Sequence, residues 1–264
     1  MKKRSVFVSG VLVLIAGCLF AAASIVNGAF SANLSGWNVA GAASAVGIQG
    51  NVIPPGGSTQ ALIASGTGSV NSYADVPVAT IEADLNLPSG AIHTALPNNY
   101  SNVTNGSAIW QTFSATAGDV VTFNWNFATN EGVPTQWDAA LYSVRVGSNP
   151  ATVYELADTT QTASLSTTVT GSGLPFSGGK MTGYKQVSIN IAATGTYTIG
   201  FISMQTGDDG VESGTYIANV GGASQAATSV PALSSWGLSI LGILLLASSL
   251  LLLRKNNATH RNAD

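Results

Sequence analysis

An uncharged apolar run near the C-terminus limits most strongly what this chain can form. It covers residues 236–253, reads WGLSILGILLLASSLLLL and is followed directly by Arg254 and Lys255. A run of this length without a charge is sufficient to cross the core of a bilayer as a helix. Basic residues at the end of such a run favour the cytoplasmic side. The sequence therefore predicts a transmembrane helix at 236–253, a cytoplasmic tail at 256–264 and a preceding domain on the opposite side of the membrane.

A second apolar run lies near the N-terminus. Residues 6–23 follow the basic start Met1-Lys2-Lys3-Arg4 and end in Ala21-Ala22-Ala23. A basic start, an apolar stretch and a small-residue exit are typical of a secretory signal, so we predict a signal peptide at 1–23 that is cut near Ala23–Ser24. An alternative cut precedes Cys18, because residues 15–18 resemble the bacterial lipobox, in which the cysteine is lipidated. Cys18 is the only cysteine, so no disulfide can stabilise the exported domain.

The segment between linker and helix carries a recognisable motif. Residues 230–237 read VPALSSWG. They resemble the IPTLxxWG C-terminal sorting signal of Gram-negative bacteria, with matches at Pro231, Leu233, Trp236 and Gly237. Val230 stands in place of isoleucine and Ala232 in place of threonine. The resemblance implies a three-part tag at 230–255, in which the motif, the membrane helix and the basic stop Arg254-Lys255 are processed by an exosortase-type enzyme. It also implies residence in the inner membrane with a periplasmic domain, followed by delivery to the cell surface or the extracellular space.

The remaining segment, residues 24–229, has a length that fits one all-β domain. We assign the domain to 24–220 and a small, polar linker to 221–229. Residues 24–229 contain three basic and eleven acidic residues, a balance of −8 that the whole-chain charge of −3 conceals. Such a surface is unsuited to nucleic acid.

Alternating apolar and polar residues mark the strands of this domain. In residues 120–127 (VVTFNWNF), Phe123, Trp125 and Phe127 fall on one face and polar residues on the other. Period two is typical of a half-buried strand, and it recurs at 142–146, 187–191 and 197–201. Turn-forming clusters separate these runs, as at 147–150. The pattern predicts an all-β, antiparallel sandwich, with one short helix at 80–87.

Several segments carry a second resemblance. Residues 105–109, 117–119 and 123–131, with 195–201 and 212–220, resemble a β-sandwich domain of exosortase-sorted (PEP-CTERM and related) surface proteins. Residues 27–30, with Gly36-Trp37 downstream, resemble the opening of many jelly-roll modules. The resemblance implies surface or matrix association and no defined reaction.

No specific catalytic motif occurs in the sequence, and paired carboxylates leave glycoside hydrolysis as a distant third alternative. His93 is the one histidine of the domain, and no Gly-x-Ser-x-Gly elbow accompanies it, so neither a closed zinc site nor a serine triad is expected. Glu131 and Asp138 flank a loop with Trp137, and a second acidic loop holds Asp208, Asp209 and Glu212. Carboxylate-bearing loops can bind calcium or sugar, so these five acids are candidate calcium ligands. No other cofactor is expected.

Two functions of different class follow. The first is a non-enzymatic surface or extracellular-matrix protein, held in the membrane through its sorting tail. The second is a carbohydrate-binding module of jelly-roll type, with exopolysaccharide as its partner. A row of exposed aromatic residues on one sheet face favours the second, and Trp37, Trp110 and Trp137 are the candidates, although such residues more often lie in a core.

Overall fold

The computed structural model describes residues 22–57, 59–65, 75–96, 103–131, 138–161, 163–172, 174–206 and 213–224. The chain divides into two compact units, Met1–Ser224 and Gln225–Asp264, and every described residue belongs to the first. The predicted sorting motif (Val230, Pro231, Leu233, Trp236, Gly237), the spanning helix, the basic stop, Cys18 and nearly all of the signal peptide lie outside the described residues. Within the described ranges, no helix has the length and apolar character needed to span a bilayer.

Antiparallel strands form two sheets in the described part of the chain. The first sheet contains β1 (Asn38–Ala40), β4 (Val76–Pro77), β5 (Val103–Ala115), β7 (Ala139–Val146), β8 (Thr152–Asp158) and β12 (Gly195–Thr206). The second contains β2 (Ala43–Val46), β3 (Gln60–Ala64), β6 (Asp119–Thr129), β9 (Thr167–Thr168), β10 (Lys180–Met181), β11 (Lys185–Asn190) and β13 (Ser213–Ser224). Their orders are β1-β5-β12-β7-β8, with β4 beside β5, and β2-β3-β13-β6-β10-β9, with β11 also beside β6.

The two sheets enclose one apolar core, which confirms the predicted β-sandwich. Phe123, Trp125 and Phe127 of β6 are buried, as their alternation predicts. Phe123 packs with Ile199 and Phe201 of β12 across the interior. The predicted runs at 142–146, 187–191 and 197–201 lie in or overlap β7, β11 and β12.

Two short helices cover part of the outer face of the first sheet. They are α1 (Val78–Asp84) and α2 (Ala91–Ala95), and Ile81 and Ile92 pack there with Leu141 and Ile202. The predicted helix at 80–87 is thus present but begins and ends earlier. Pro77 is its N-cap, and proline is favourable only at a helix start. With five residues, α2 is too short to produce a helical period in the sequence.

The last strand extends beyond its predicted end. We expected a linker from residue 221, but β13 continues to Ser224, and Gly221 and Ser224 pair with Thr122 and Asp119 of β6. The sequence GGAS has no apolar alternation, so a strand formed through backbone pairing leaves no pattern there.

Candidate functional site

A ladder of aromatic rings crosses the sandwich from its core to its surface. Adjacent ring centroids are 4.8–5.9 Å apart, a separation at which aromatic pairs attract one another. From core to surface, the rings belong to Phe30, Trp37, Phe201, Phe123, Tyr142 and Tyr154. The ladder therefore connects a buried cluster rigidly to an exposed side chain.

The outer end of this ladder is a stacked pair of tyrosines. Tyr142 of β7 and Tyr154 of β8 are direct cross-strand partners. Their ring centroids are 4.9 Å apart and their planes meet at 20°. Tyr142 is half-buried, and burial, with a smaller contribution from Tyr154, raises the pKa of its hydroxyl. Tyr154 is 44% exposed, so the pair presents an aromatic surface to solvent.

The pair lies at an open edge of the sandwich. On the described strands, β8 ends the order of the first sheet, and β11 of the second sheet pairs only with β6. Val187 and Ile189 of β11 are half-buried against the same core as Tyr142. The Nζ of Lys185 lies 5.3 Å from the centre of the Trp125 ring. This edge therefore combines apolar rings and side chains with polar neighbours.

A groove adjoins the same strand. It has a volume of about 530 Å³ and is lined by residues around α2 and the start of β8. Ser89, Thr94 and Thr152 contribute hydroxyl groups to its wall. Thr152 and Tyr154 are two residues apart on β8 and so share one side of the strand. Thr152 therefore lies on the side of β8 that carries Tyr154, whereas α2, with Thr94, packs against the outer face of the sheet.

The predicted tryptophan row does not form among the described residues. Trp37 is only 7% exposed and lies within the core. Trp110 is half-buried on the outer face of the first sheet, against the cluster under the helices. Trp137 lies outside the described residues. The exposed ring is that of Tyr154, stacked on the half-buried Tyr142, and the sequence analysis did not select this pair. A hairpin centred on the turn at 147–150 pairs residues 142 and 154, so the signal was present in the turn position.

The acidic residue Asp138 lies deep between the sheets. Its Oδ2 accepts a hydrogen bond from Ser65 Oγ at 3.1 Å, and its Oδ1 accepts one from the backbone N–H of Thr206 at 3.1 Å. Burial raises the pKa of Asp138 to about 7; hydrogen bonds from Ser213 and Thr206 oppose the rise, and the charge of Glu131 adds to it. Thr206 and Ser213 flank residues 207–212, and Asp138 follows residues 132–137. The structure thus brings together the ends of the two segments that were predicted as acidic loops.

The expected calcium ligands are only partly placed. Glu131 is buried near Asp138, whereas Asp208, Asp209 and Glu212 lie outside the described residues. Across the described ranges, no group of three or more acidic, histidine or cysteine side chains is arranged to hold a metal ion. His93 lies in the last turn of α2.

Comparisons with known proteins give matches to solved structures alone. No protein-family model matches the chain, and no curated protein matches it. One similar structure is a family-61 carbohydrate-binding module in complex with β-1,4-galactotriose, with 13% identity and a TM-score of 0.37, covering 73% of this chain and 95% of that one. Another is a family-16 carbohydrate-binding module, with 13% identity and a TM-score of 0.34, covering 75% and 98%.

Proposed function

We propose that this chain is an exported, non-catalytic protein whose jelly-roll-type sandwich binds saccharide chains outside the cytoplasm. The observation that carries the proposal is the stacked pair of Tyr142 and Tyr154 at the open edge. The apolar C–H face of a pyranose ring packs against the negative face of an aromatic ring. Tyrosine also supplies a hydroxyl that can bond with the sugar, so the pair offers both kinds of contact.

The ladder behind the pair makes this surface suitable for binding. Tyr142 is held against Phe123 at 5.3 Å, and Phe123 against Phe201 at 4.8 Å. Side chains fixed before binding lose little conformational entropy when a ligand arrives, which improves affinity. The hydroxyl of Thr152, on the same side of β8 as Tyr154, supplies a donor and an acceptor for the polar rim of a sugar ring.

The proposal also includes export and membrane anchoring, because the two ends of the sequence carry a signal and a sorting tail. The signal at 1–23 directs the domain out of the cytoplasm, and the tail at 230–255 holds it in the inner membrane until an exosortase-type enzyme acts. Exopolysaccharide is then the saccharide that the domain meets at the cell surface. A protein of this kind associates with an extracellular matrix without chemical conversion of its ligand.

Substitution of Tyr154 tests the proposal. The full-length protein is first screened on an array of neutral oligosaccharides, and the best ligand is then titrated by calorimetry. Tyr154→Ala removes the exposed ring, and we expect affinity to fall about tenfold or more, as for other central aromatic contacts. Tyr154→Phe keeps the ring and should retain most of the affinity.

Val39→Ala is the matched control, because Val39 is 43% exposed on β1 at the opposite edge of the first sheet. It should leave binding unchanged. Equal affinity of Tyr154→Ala and the unmodified protein would exclude this edge as the binding site. A protein that binds no oligosaccharide on the array supports a purely structural surface role.

A further inference from the structure

A polar face lies on the outer side of the first sheet, beside the part that the helices cover. Arg145, Thr198 and Thr112 form one cross-strand row over β7, β12 and β5, and Ser143, Gly200 and Trp110 form the next. Because alternate residues of a strand share a face, both rows point to the same side. They point away from the aromatic ladder and from Tyr154.

Hydroxyl groups hold the guanidinium of Arg145 in place. Arg145 Nη2 donates to Thr198 Oγ1 at 3.0 Å, and the Oγ1 atoms of Thr198 and Thr112 are 2.8 Å apart. Thr198 is only 4% exposed, so the row rests on a buried side chain. Arg145 Nε is buried and has no hydrogen-bond partner. A guanidinium has five N–H donors. The buried Nε is out of reach of a ligand and one N–H of Nη2 is bonded to Thr198, so the remaining terminal N–H groups are the ones that an incoming acceptor can meet.

The charge of Arg145 is unusual in this domain. Residues 24–229 contain only two other basic residues, Lys180 and Lys185, and both are exposed on strands of the second sheet. In the described part of the chain, Arg145 forms no ion pair with a carboxylate; its contact is with a neutral hydroxyl. A half-buried cation without a counter-charge favours an anionic ligand, because ionic hydrogen bonds are stronger than neutral ones.

An indole ring accompanies this cation. Trp110 is half-buried on the same face, two residues from Thr112 along β5. Gly200, between Ser143 and Trp110, has no side chain, and Leu85 fills the space above it. The face therefore offers a guanidinium on β7, a row of hydroxyls and, two strands away in the next row, an apolar ring.

We propose that this face binds an acidic saccharide, with the carboxylate of a uronate ring on Arg145 and the C–H face of the sugar on Trp110. The guanidinium can donate two parallel hydrogen bonds to one carboxylate, which a lysine ammonium cannot do. Thr112 supplies an exposed hydroxyl for the sugar's own hydroxyl groups. This site is separate from the tyrosine pair and does not depend on it.

Binding of uronate oligosaccharides tests the proposal. Trisaccharides of galacturonate, glucuronate and mannuronate, each with its methyl ester, are titrated into the full-length protein at low salt. We expect at least one free acid to bind about tenfold or more tightly than its neutral ester. Arg145→Gln should remove this difference, and Arg145→Lys should lose most of it while keeping the charge. Trp110→Ala should weaken the acid and the ester together.

Lys180→Gln is the matched control, because it removes the same charge from an exposed residue of the second sheet. It should leave the preference for the free acid unchanged. Equal losses in Lys180→Gln and Arg145→Gln would show nonspecific attraction and overturn the proposal. Equal binding of every acid and its ester would also overturn the proposal. Displacement of the sugar by millimolar inorganic phosphate would do the same. Thermal unfolding of each variant establishes that it is folded. If Arg145→Gln does not fold, the loss of acid preference in Arg145→Lys tests the proposal instead.

Discussion

Asp138 shows how much the environment of a single side chain can differ from its sequence context. In sequence it flanks a polar loop, where a carboxyl group is normally solvated and ionised. In the structure it has no solvent exposure and joins the two sheets through Ser65 of the segment after β3 and Thr206 of β12. Without a cationic partner in these contacts, desolvation favours the neutral form of the carboxyl. This residue therefore makes the stability of the sandwich depend on pH.

The pKa of Asp138 is about 7 in the folded state and near 3.8 when solvated. Since folding raises this pKa, the protonated acid favours the folded state, and that stability is lost as pH rises through 7. Between pH 5 and pH 8 we expect the free energy of unfolding to fall by roughly 2–3 kcal/mol on account of this group. Urea unfolding across this range measures the slope. Asp138→Asn should flatten it and should be more stable than the unmodified protein at pH 8.

Glu155 is the necessary control, because burial also raises its pKa to about 7 and the charge of Asp158 adds to the rise. Glu155 is only half-buried, so its contribution to the slope should be small. If Asp138→Asn keeps the full slope and Glu155→Gln removes it, the assignment to Asp138 is wrong.

At the scale of elements, the N-terminal segment is locked onto the last strand. The backbone N–H of Val220 in β13 donates to the carbonyl oxygen of Gly28 at 2.9 Å. A Cβ atom at Gly28 would overlap the carbonyl oxygen of Val220. Ala23 packs against Gly222 of the same strand in a similar way. The beginning of the domain and its last strand therefore meet only because glycines allow their backbones to approach.

Gly28→Ala tests this contact. The added methyl group must push the segment away from β13, and we expect a loss of about 1–3 kcal/mol, the usual cost of overpacking. Chemical denaturation provides the measurement. Gly195→Ala is the control, because a Cβ at Gly195 meets no atom within 4 Å and should change stability little. Equal stability of both variants would show that the segment adjusts without cost.

At the scale of the whole molecule, the sandwich ends with β13 at Ser224, and the predicted membrane anchor follows it in the chain. Deletion of everything after Ser229 removes the predicted tail but no described residue, so we expect it to release the domain from the membrane fraction. Leu244→Arg should weaken retention, because a charge at the centre of a spanning helix opposes insertion by about 2.5–3.5 kcal/mol. Leu244→Val is the matched apolar control and should remain in the membrane.

Cell fractionation of these variants separates the possible anchors. A truncated protein that still sediments with membranes, and is released by Cys18→Ser, identifies a lipid on Cys18 as the anchor. An intact chain that is soluble in the periplasm with its tail uncut excludes the spanning helix.

Patterns between near neighbours were sufficient to predict four of the strands, β6, β7, β11 and β12. The period-two alternation of 120–127 depends only on adjacent residues, so the burial of Phe123 and Phe127 could be inferred without knowing their partners. The charge balance and the two apolar runs near the ends of the chain can likewise be read from composition and from adjacent residues. The glycine-rich end of β13 has no such pattern, and its strand character depends on pairing with β6.

Sites depend instead on which distant strands become neighbours. Asp138 meets Ser65 across 73 residues and Arg145 meets Thr198 across 53, and no local pattern encodes such a contact. Local sequence does not say whether the side chains of Trp37, Trp110 and Tyr154 are covered in the fold. Packing between the two sheets buries Trp37, and the cluster under the helices half-covers Trp110. Tyr154 stays exposed. Burial is a property of the assembled sheets, and for that reason the exposure of Tyr154 and of the Arg145 face became visible only in the folded chain.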